Sequence, residues 1–380
     1  MAAPSPARLD AGQIENLIHS LAARGYDVVG PTIRDGAIVY DTIAGVRDLP
    51  TGRTDKQEAG QYRIESRCDG SFFGYTLGPQ SWKKYLHPAQ VKLFEAEQKH
   101  GQFRILNGVE NPDKKFAFIG VRACEFAAIR IQDRVLLNGP YRDPIYKARR
   151  DGVFLVAVQC TQSAATCFCE SLGTGPQVQS TGFDLKLTEV VDAEEHWFLA
   201  EAWTDSGREV LSELDTQPAS EKDRAVAGAG VEAAAAQQTR RIDTDDIRQV
   251  LYRNFEHPRW EQIAQRCLSC GNCTMVCPTC FCTTVEDVSD VTGEHAERWR
   301  KWDSCFTVSF SFIHGGSVRT SEKSRYRQWM THKLASWIDQ FGSPGCVGCG
   351  RCIAWCPAGI DITEELEAIR GAATHGNTDA

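Results

Sequence analysis

The sequence has no run of about 18 or more apolar residues, so nothing in it reads as a membrane span. It holds no G-x-G-x-x-G after a strand-like run and no Walker A pattern, which leaves no positive sign that the chain itself binds a nucleotide. No Ser/His/Asp arrangement stands out, so hydrolytic nucleophile chemistry lacks support. Basic residues are not in excess: 42 Lys and Arg face 50 Asp and Glu. The resulting net charge of -8 argues against nucleic acid as the main partner, because phosphate binding needs a basic surface. Met1 to Asp10 is rich in Ala, Pro and Ser and lacks the basic and apolar regions of a secretory signal. The expected location is the cytoplasm.

Cysteine, in contrast, is abundant, with 16 in 380 residues. Disulfide scaffolds of that density are short secreted chains, whereas free thiols at tight spacings in a reducing compartment act as metal ligands. The cysteines are unevenly spread. Cys68, Cys124, Cys160, Cys167 and Cys169 lie before residue 200, none lies between 201 and 266, and the rest follow. That gap marks a boundary between two chemically different modules.

At ~150 residues per domain the length suggests two to three domains. Residues 10–24 read as a helix with Asp10 as N-cap, and 26–29 and 37–43 as short strands. Residues 48–70 read as loop from their polarity, and 86–100 as helix. Phe116–Val121 and Val153–Val158 are apolar runs of strand length on either side of a helix-like segment, Cys124–Leu137. Strand, helix, strand is a βαβ unit with parallel strands, so residues 1–200 are expected to be an α/β domain. Residues 201–245 are expected to be a helical linker and 246–370 a mainly helical two-cluster ferredoxin-like domain. Residues 371–380 are expected to be a flexible tail. Tyr326, Met330, Leu334, Trp337 and Phe341 make one apolar stripe on a helix over 321–341.

Two cysteine runs carry the most specific signal. They are Cys267-x-x-Cys270-x-x-Cys273-x-x-x-Cys277-Pro278 and Cys346-x-x-Cys349-x-x-Cys352-x-x-x-Cys356-Pro357. Three thiolates at C-x2-C-x2-C turn inward from one tight loop onto a [4Fe–4S] cluster. Gly271, Gly348 and Gly350 let the backbone bend closely, and proline after the fourth cysteine steers the chain away. In two-cluster ferredoxins the fourth thiolate binds the other cluster. On that rule one cluster takes Cys267, Cys270, Cys273 and Cys356, and the other Cys346, Cys349, Cys352 and Cys277. The competing reading is a zinc-stabilised interaction module, but structural zinc favours two separated CxxC pairs, or pairs with His.

Further thiols extend the set. Cys280, Cys282 and Cys305 read either as packing or neighbouring thiols or as an alternative ligand set. Cys124 and Cys160 each follow a strand of the βαβ unit. If those strands are neighbours, both thiols emerge at the carboxyl edge where open α/β sheets bind ligands. With Cys167 and Cys169 they make a candidate third cluster. Cys68 reads as structural. Arg122, beside a helix N-terminus, reads either as a solvated arginine or as a contact for an anion such as a flavin phosphate.

With these residues in hand, the chain resembles the iron–sulfur β subunits of cytoplasmic sulfhydrogenases, NAD(P)-linked [NiFe] hydrogenases, together with the corresponding iron–sulfur subunit of anaerobic sulfite reductase. The resemblance rests on Gly120–Val135, Cys167-Phe-Cys169, Cys267–Cys282, Trp302-Asp-Ser-Cys305, Gly315-Gly316, Tyr326-Arg327, His332-Lys333 and Cys346–Asp361. It covers most of the chain from about residue 80 but not the 205–240 region. It implies an electron-transfer subunit with no catalytic residues of its own. Such a subunit is wired between a flavoprotein partner that binds FAD and NAD(P) and the hydrogenase small and large subunits. The alternative is the equivalent place beside a sirohaem subunit in a sulfite or sulfur reductase. No membrane or nucleic acid is implied.

Overall fold

The computed structural model describes residues 6–107, 115–178 and 181–373. A first strand, β1 (Ala7–Asp10), leads into a helix over Gln13–Ala23. Ile14, Leu17, Ile18 and Leu21 fall three or four residues apart and are fully buried, so one helix face seals a sheet. Asp10 ends the strand instead of capping the helix, and its carboxylate accepts from Gly12 N–H at 2.8 Å. β2 (Tyr26–Arg34) and β3 (Ala37–Thr42) form a hairpin turned at Asp35-Gly36, both at positive φ, as a tight two-residue turn demands.

Residues 48–70, expected as loop, fold into a second hairpin, β4 (Arg53–Glu58) and β5 (Gln61–Ser66). Its buried face is polar. Gln57 donates to Thr76 Oγ1 and Leu77 O and accepts from Thr166, so hydrogen bonds and not apolar side chains hold it. Residues 86–100, expected as helix, contain β6 (Gln90–Lys99), followed by β7 (Gln102–Asn107). The helix-favouring Glu, Ala, Gln and Lys of this stretch are overridden by pairing on both sides.

The βαβ unit is present. β8 (Lys115–Val121) and β9 (Phe154–Val158) are parallel neighbours, joined through helices over Ala123–Leu136 and Pro144–Arg150. β10 (Leu185–Val191), β11 (His196–Ala202) and β12 (Thr216–Pro218) complete a mixed sheet in the order β12-β1-β11-β10-β9-β8-β2-β3. Residues 201–245, expected as a helical linker, supply edge strand β12 and helices over Asp205–Ser212 and Glu221–Ala236. Ala227, Val231 and Ala234 are buried. These residues therefore extend the sheet domain.

The C-terminal region packs helices over Ile247–Arg253, Arg259–Ala264, Glu322–Thr331 and Ile362–Ala373 around Trp260, Tyr326, Trp329, Met330 and Leu334. It is not purely helical. β13 (Thr283–Ser289) and β14 (His295–Trp302) join β6 and β7 in a sheet ordered β13-β14-β6-β7, which ties the two halves of the chain. The stretch expected as one helix over 321–341 is interrupted by a π-helical turn at His332–Ser336. The last helix runs to Ala373, and the remainder of the expected tail lies outside the described residues.

Candidate iron–sulfur centres

The two cysteine runs fold alike. In each, a glycine at φ 73°, Gly271 or Gly350, opens a one-turn helix, Asn272–Met275 or Arg351–Ala354. Left-handed backbone is what lets three thiols turn to one side, and Ser269 (φ 50°) adds a second such residue to the first loop.

Cys267, Cys270 and Cys273 line one cavity together with Cys356 from the second run, and Cys352 borders the same cavity. Phe306, Tyr326, Trp329, Ile360 and Ile362 complete its wall. Ser269 N–H donates to Cys267 Sγ and Ile360 N–H to Cys356 Sγ, each at 3.4 Å. Cys270 is exposed. Cys346, Cys349 and Cys352 gather with Cys277 from the first run, close enough for their charges to act on one another. Gly348 N–H points to Cys346 Sγ at 3.5 Å. Lys333 Nζ donates to Cys277 Sγ at 3.1 Å and to Thr279 Oγ1 at 2.9 Å. Burial alone would lower the Lys333 ammonium, but the thiolates of Cys277, Cys280 and Cys346 outweigh it and hold the group well above its usual value.

The N-terminal thiols also converge. Cys124 lies just past β8 and Cys160 just past β9, at the same sheet edge, and Cys167 and Cys169 face them from the next loop. Cys124, Cys167 and Cys169 are buried, and burial pushes all three thiols up. Gln238 Nε2 donates to Cys169 Sγ at 3.2 Å. Arg122 is neither solvated nor turned to an outside anion. It is 1% exposed and donates to Phe73 O, Tyr75 O and Gln159 O, with Cys160 beside it. This group abuts the second run: Cys124 and Cys169 lie near Cys349, and Phe168 N–H donates to Gly348 O at 2.9 Å. A Cβ on Gly348 would stand 2.6 Å from the Cys169 backbone, so only glycine permits this approach.

Cys280 lies beside Cys277, and Cys282 beside Cys305. The Cys305 contact, then Lys333 and Lys83, bring the Cys282 thiol down to about 7 against the opposing effect of burial. Cys68 is exposed. Spacing does not reveal Lys83, Arg351, Glu125 or Gln238. Arg351 is 1% exposed, bonds Gly78 O and Gln80 O, and pairs with buried Glu125 at 2.5 Å.

Two observations test the fit to iron–sulfur clusters. A tetrahedral zinc ion at about 2.3 Å from each sulfur needs the sulfurs about 3.8 Å apart. Among the described residues no three of these sulfurs lie within 4.8 Å of one another, so no set is closed on a single ion. Second, Lys333 is 5% exposed and no carboxylate pairs with it among the described residues. A buried ammonium needs an anion, and thiolates carrying a cluster supply one.

Fold and thiol geometry together define a protein of the iron–sulfur electron-transfer class, and the family model for a 4Fe-4S dicluster domain matches residues 266–360. Sulfhydrogenase 2 subunit beta of Pyrococcus furiosus is 33% identical over 261 residues, covering 68% of this chain and 75% of that protein. The chain belongs to the family of sulfhydrogenase β subunits, iron–sulfur electron-transfer subunits of hydrogenase complexes. No solved structure matches. No helix among the described residues is long and apolar enough to cross a membrane.

Proposed function

We propose that this chain relays single electrons from a flavoprotein partner, which binds FAD and NAD(P), to the catalytic metal subunit of a cytoplasmic [NiFe] hydrogenase complex, or in the reverse direction. The observation that carries this reading is the crossed grouping of the thiols. Cys356 gathers with Cys267, Cys270 and Cys273, and Cys277 with Cys346, Cys349 and Cys352. We assign these as the two [4Fe–4S] ligand sets. Bound there, such clusters take up and release one electron at a time. Residues 1–200 carry a third set, Cys124, Cys160, Cys167 and Cys169, and residues 246–370 carry the pair.

The chain's own residues arrange the three sets in a row. Cys273 of the first set lies near Cys277 of the second, and Cys349 of the second lies near Cys124 and Cys169 of the third. Backbone N–H groups and buried cations face the thiolates and offset their charge. Phe306, Tyr326 and Trp329 wall one side of the first set, while its Cys270 stays exposed. Cys280 adjoins Cys277 of the second set, and Cys305, paired with Cys282, lies near Cys273 of the first; we leave all three outside both sets.

Iron and acid-labile sulfide measured anaerobically test the assignment. About twelve of each per chain are expected, with four lost in Cys124→Ala. Zinc without iron would sink the reading, and unchanged iron in both Cys124→Ala and Cys169→Ala would remove the third set. Mass spectrometry of co-purifying proteins checks the complex, since a sirohaem protein in place of a [NiFe] large subunit would reassign it.

A further inference from the structure

The two dicluster sets differ in the charge around them. The first is lined by aromatic and aliphatic side chains, and the donors to its sulfurs are the Ser269 and Ile360 N–H groups. The buried cation on that side, Arg325, donates to Ser269 Oγ and to the carbonyls of Arg319 and Thr320, one residue removed from the thiols.

The second set is different. Lys333 Nζ sits 3.1 Å from Cys277 Sγ. Its other acceptors, Thr279 Oγ1 and Gly345 O, are neutral. Arg351 adds a second cation beside Cys349, but Glu125 at 2.5 Å already offsets it. Lys83, also buried beside this set, bonds Cys280 O at 3.2 Å and lies over the Trp302 ring, whereas Lys333 is the buried ammonium bonded directly to a proposed ligand sulfur. It projects from the π turn at His332–Ser336, and such single π turns are frequent at functional sites.

Reduction adds a negative charge to a thiolate-bound centre. A buried cation hydrogen-bonded to a ligand sulfur stabilises the reduced form more than the oxidised one, and low local dielectric strengthens that preference. We propose that Lys333 makes the Cys277, Cys346, Cys349 and Cys352 set the higher-potential member of the pair, so that a transferred electron comes to rest there and not on the set next to exposed Cys270. The inference rests on reading both sets as [4Fe–4S] ligands.

An anaerobic redox titration of the full-length, iron-loaded chain, followed by electron paramagnetic resonance, tests it. The pair reduces in two steps in the unaltered protein. Lys333→Met weakens the upper step by at least about tenfold, equal to about 59 mV for a one-electron couple, and leaves the lower step in place. Lys333→Arg keeps the upper step, and Lys333→Gln, a donor without charge, falls with the Met variant. If Met moves the lower step, or neither, the proposal is overturned. Should the Met variant fail to take up iron, the Arg and Gln variants make the same comparison. Iron and sulfide assays on the same samples separate the two failures. A full complement with unmoved potentials sinks the charge assignment alone, whereas an unaltered chain without iron sinks the cluster reading.

Discussion

His87 has both ring nitrogens buried without a hydrogen-bond partner among the described residues, while Trp302 Nε1 donates to its carbonyl at 2.9 Å. Burial, with Arg300 and Lys83 adding to it and Asp143 opposing, brings the imidazole down to about 3. The folded state therefore refuses a proton that the unfolded chain accepts from about pH 6.5 downward. Stability is full above that pH and is lost progressively as pH falls towards about 3. Denaturation midpoints of the anaerobic protein should fall across that window, and His87→Phe should flatten the fall. Equal slopes for the two proteins would count against this account. At this scale the cysteines are legible because their spacing is local. Lys333 and Gln238 meet their sulfurs from distant parts of the chain, and Arg351, inside the second run, finds its carboxylate partner Glu125 in another domain's helix, so spacing is silent on these partners.

Among the elements, the strands legible in the sequence are those whose own side chains bury, such as β8 and β9, where every or nearly every residue is apolar. β4 escapes such a reading because its buried face is hydrogen-bonded Asp55 and Gln57, which look like loop residues. β6 reads as helix because its composition favours helix, while its conformation is decided by β14, about two hundred residues away. The same logic yields a test. Ala96 lies in the middle of β6, buried between β14 and β7. Proline there removes a ladder hydrogen bond in an interior strand. Ala96→Pro should lower the melting temperature by several degrees, and Val291→Pro, in the exposed β13–β14 turn, should change it little. Similar effects of both would argue against the strand.

Across the whole molecule, the expected α/β and dicluster regions interlock, since β6 and β7 pair with β13 and β14 in one sheet. The Arg351–Glu125 pair lies at the junction, with Tyr40 Oη and Trp82 Nε1 also donating to Glu125. Removing one partner of such a buried pair leaves the other charge uncompensated and costs about 3–5 kcal/mol. Glu125→Leu and Arg351→Met are each expected to destabilise the chain by about that much, and the double variant by less than the sum, as read by anaerobic chemical denaturation. Additive losses would mean the pair does not couple the halves.

The matched loops at Gly271 and Gly350, each followed by a one-turn helix, have the form of a duplicated unit, and on the proposed ligand sets its copies exchange one ligand. That exchange shapes how the chain can change over time. A copy that lost its last cysteine would damage its twin's site and keep three of its own ligands. Neither copy can drift towards a separate role while the other is kept, so inheritance treats the two as a single unit.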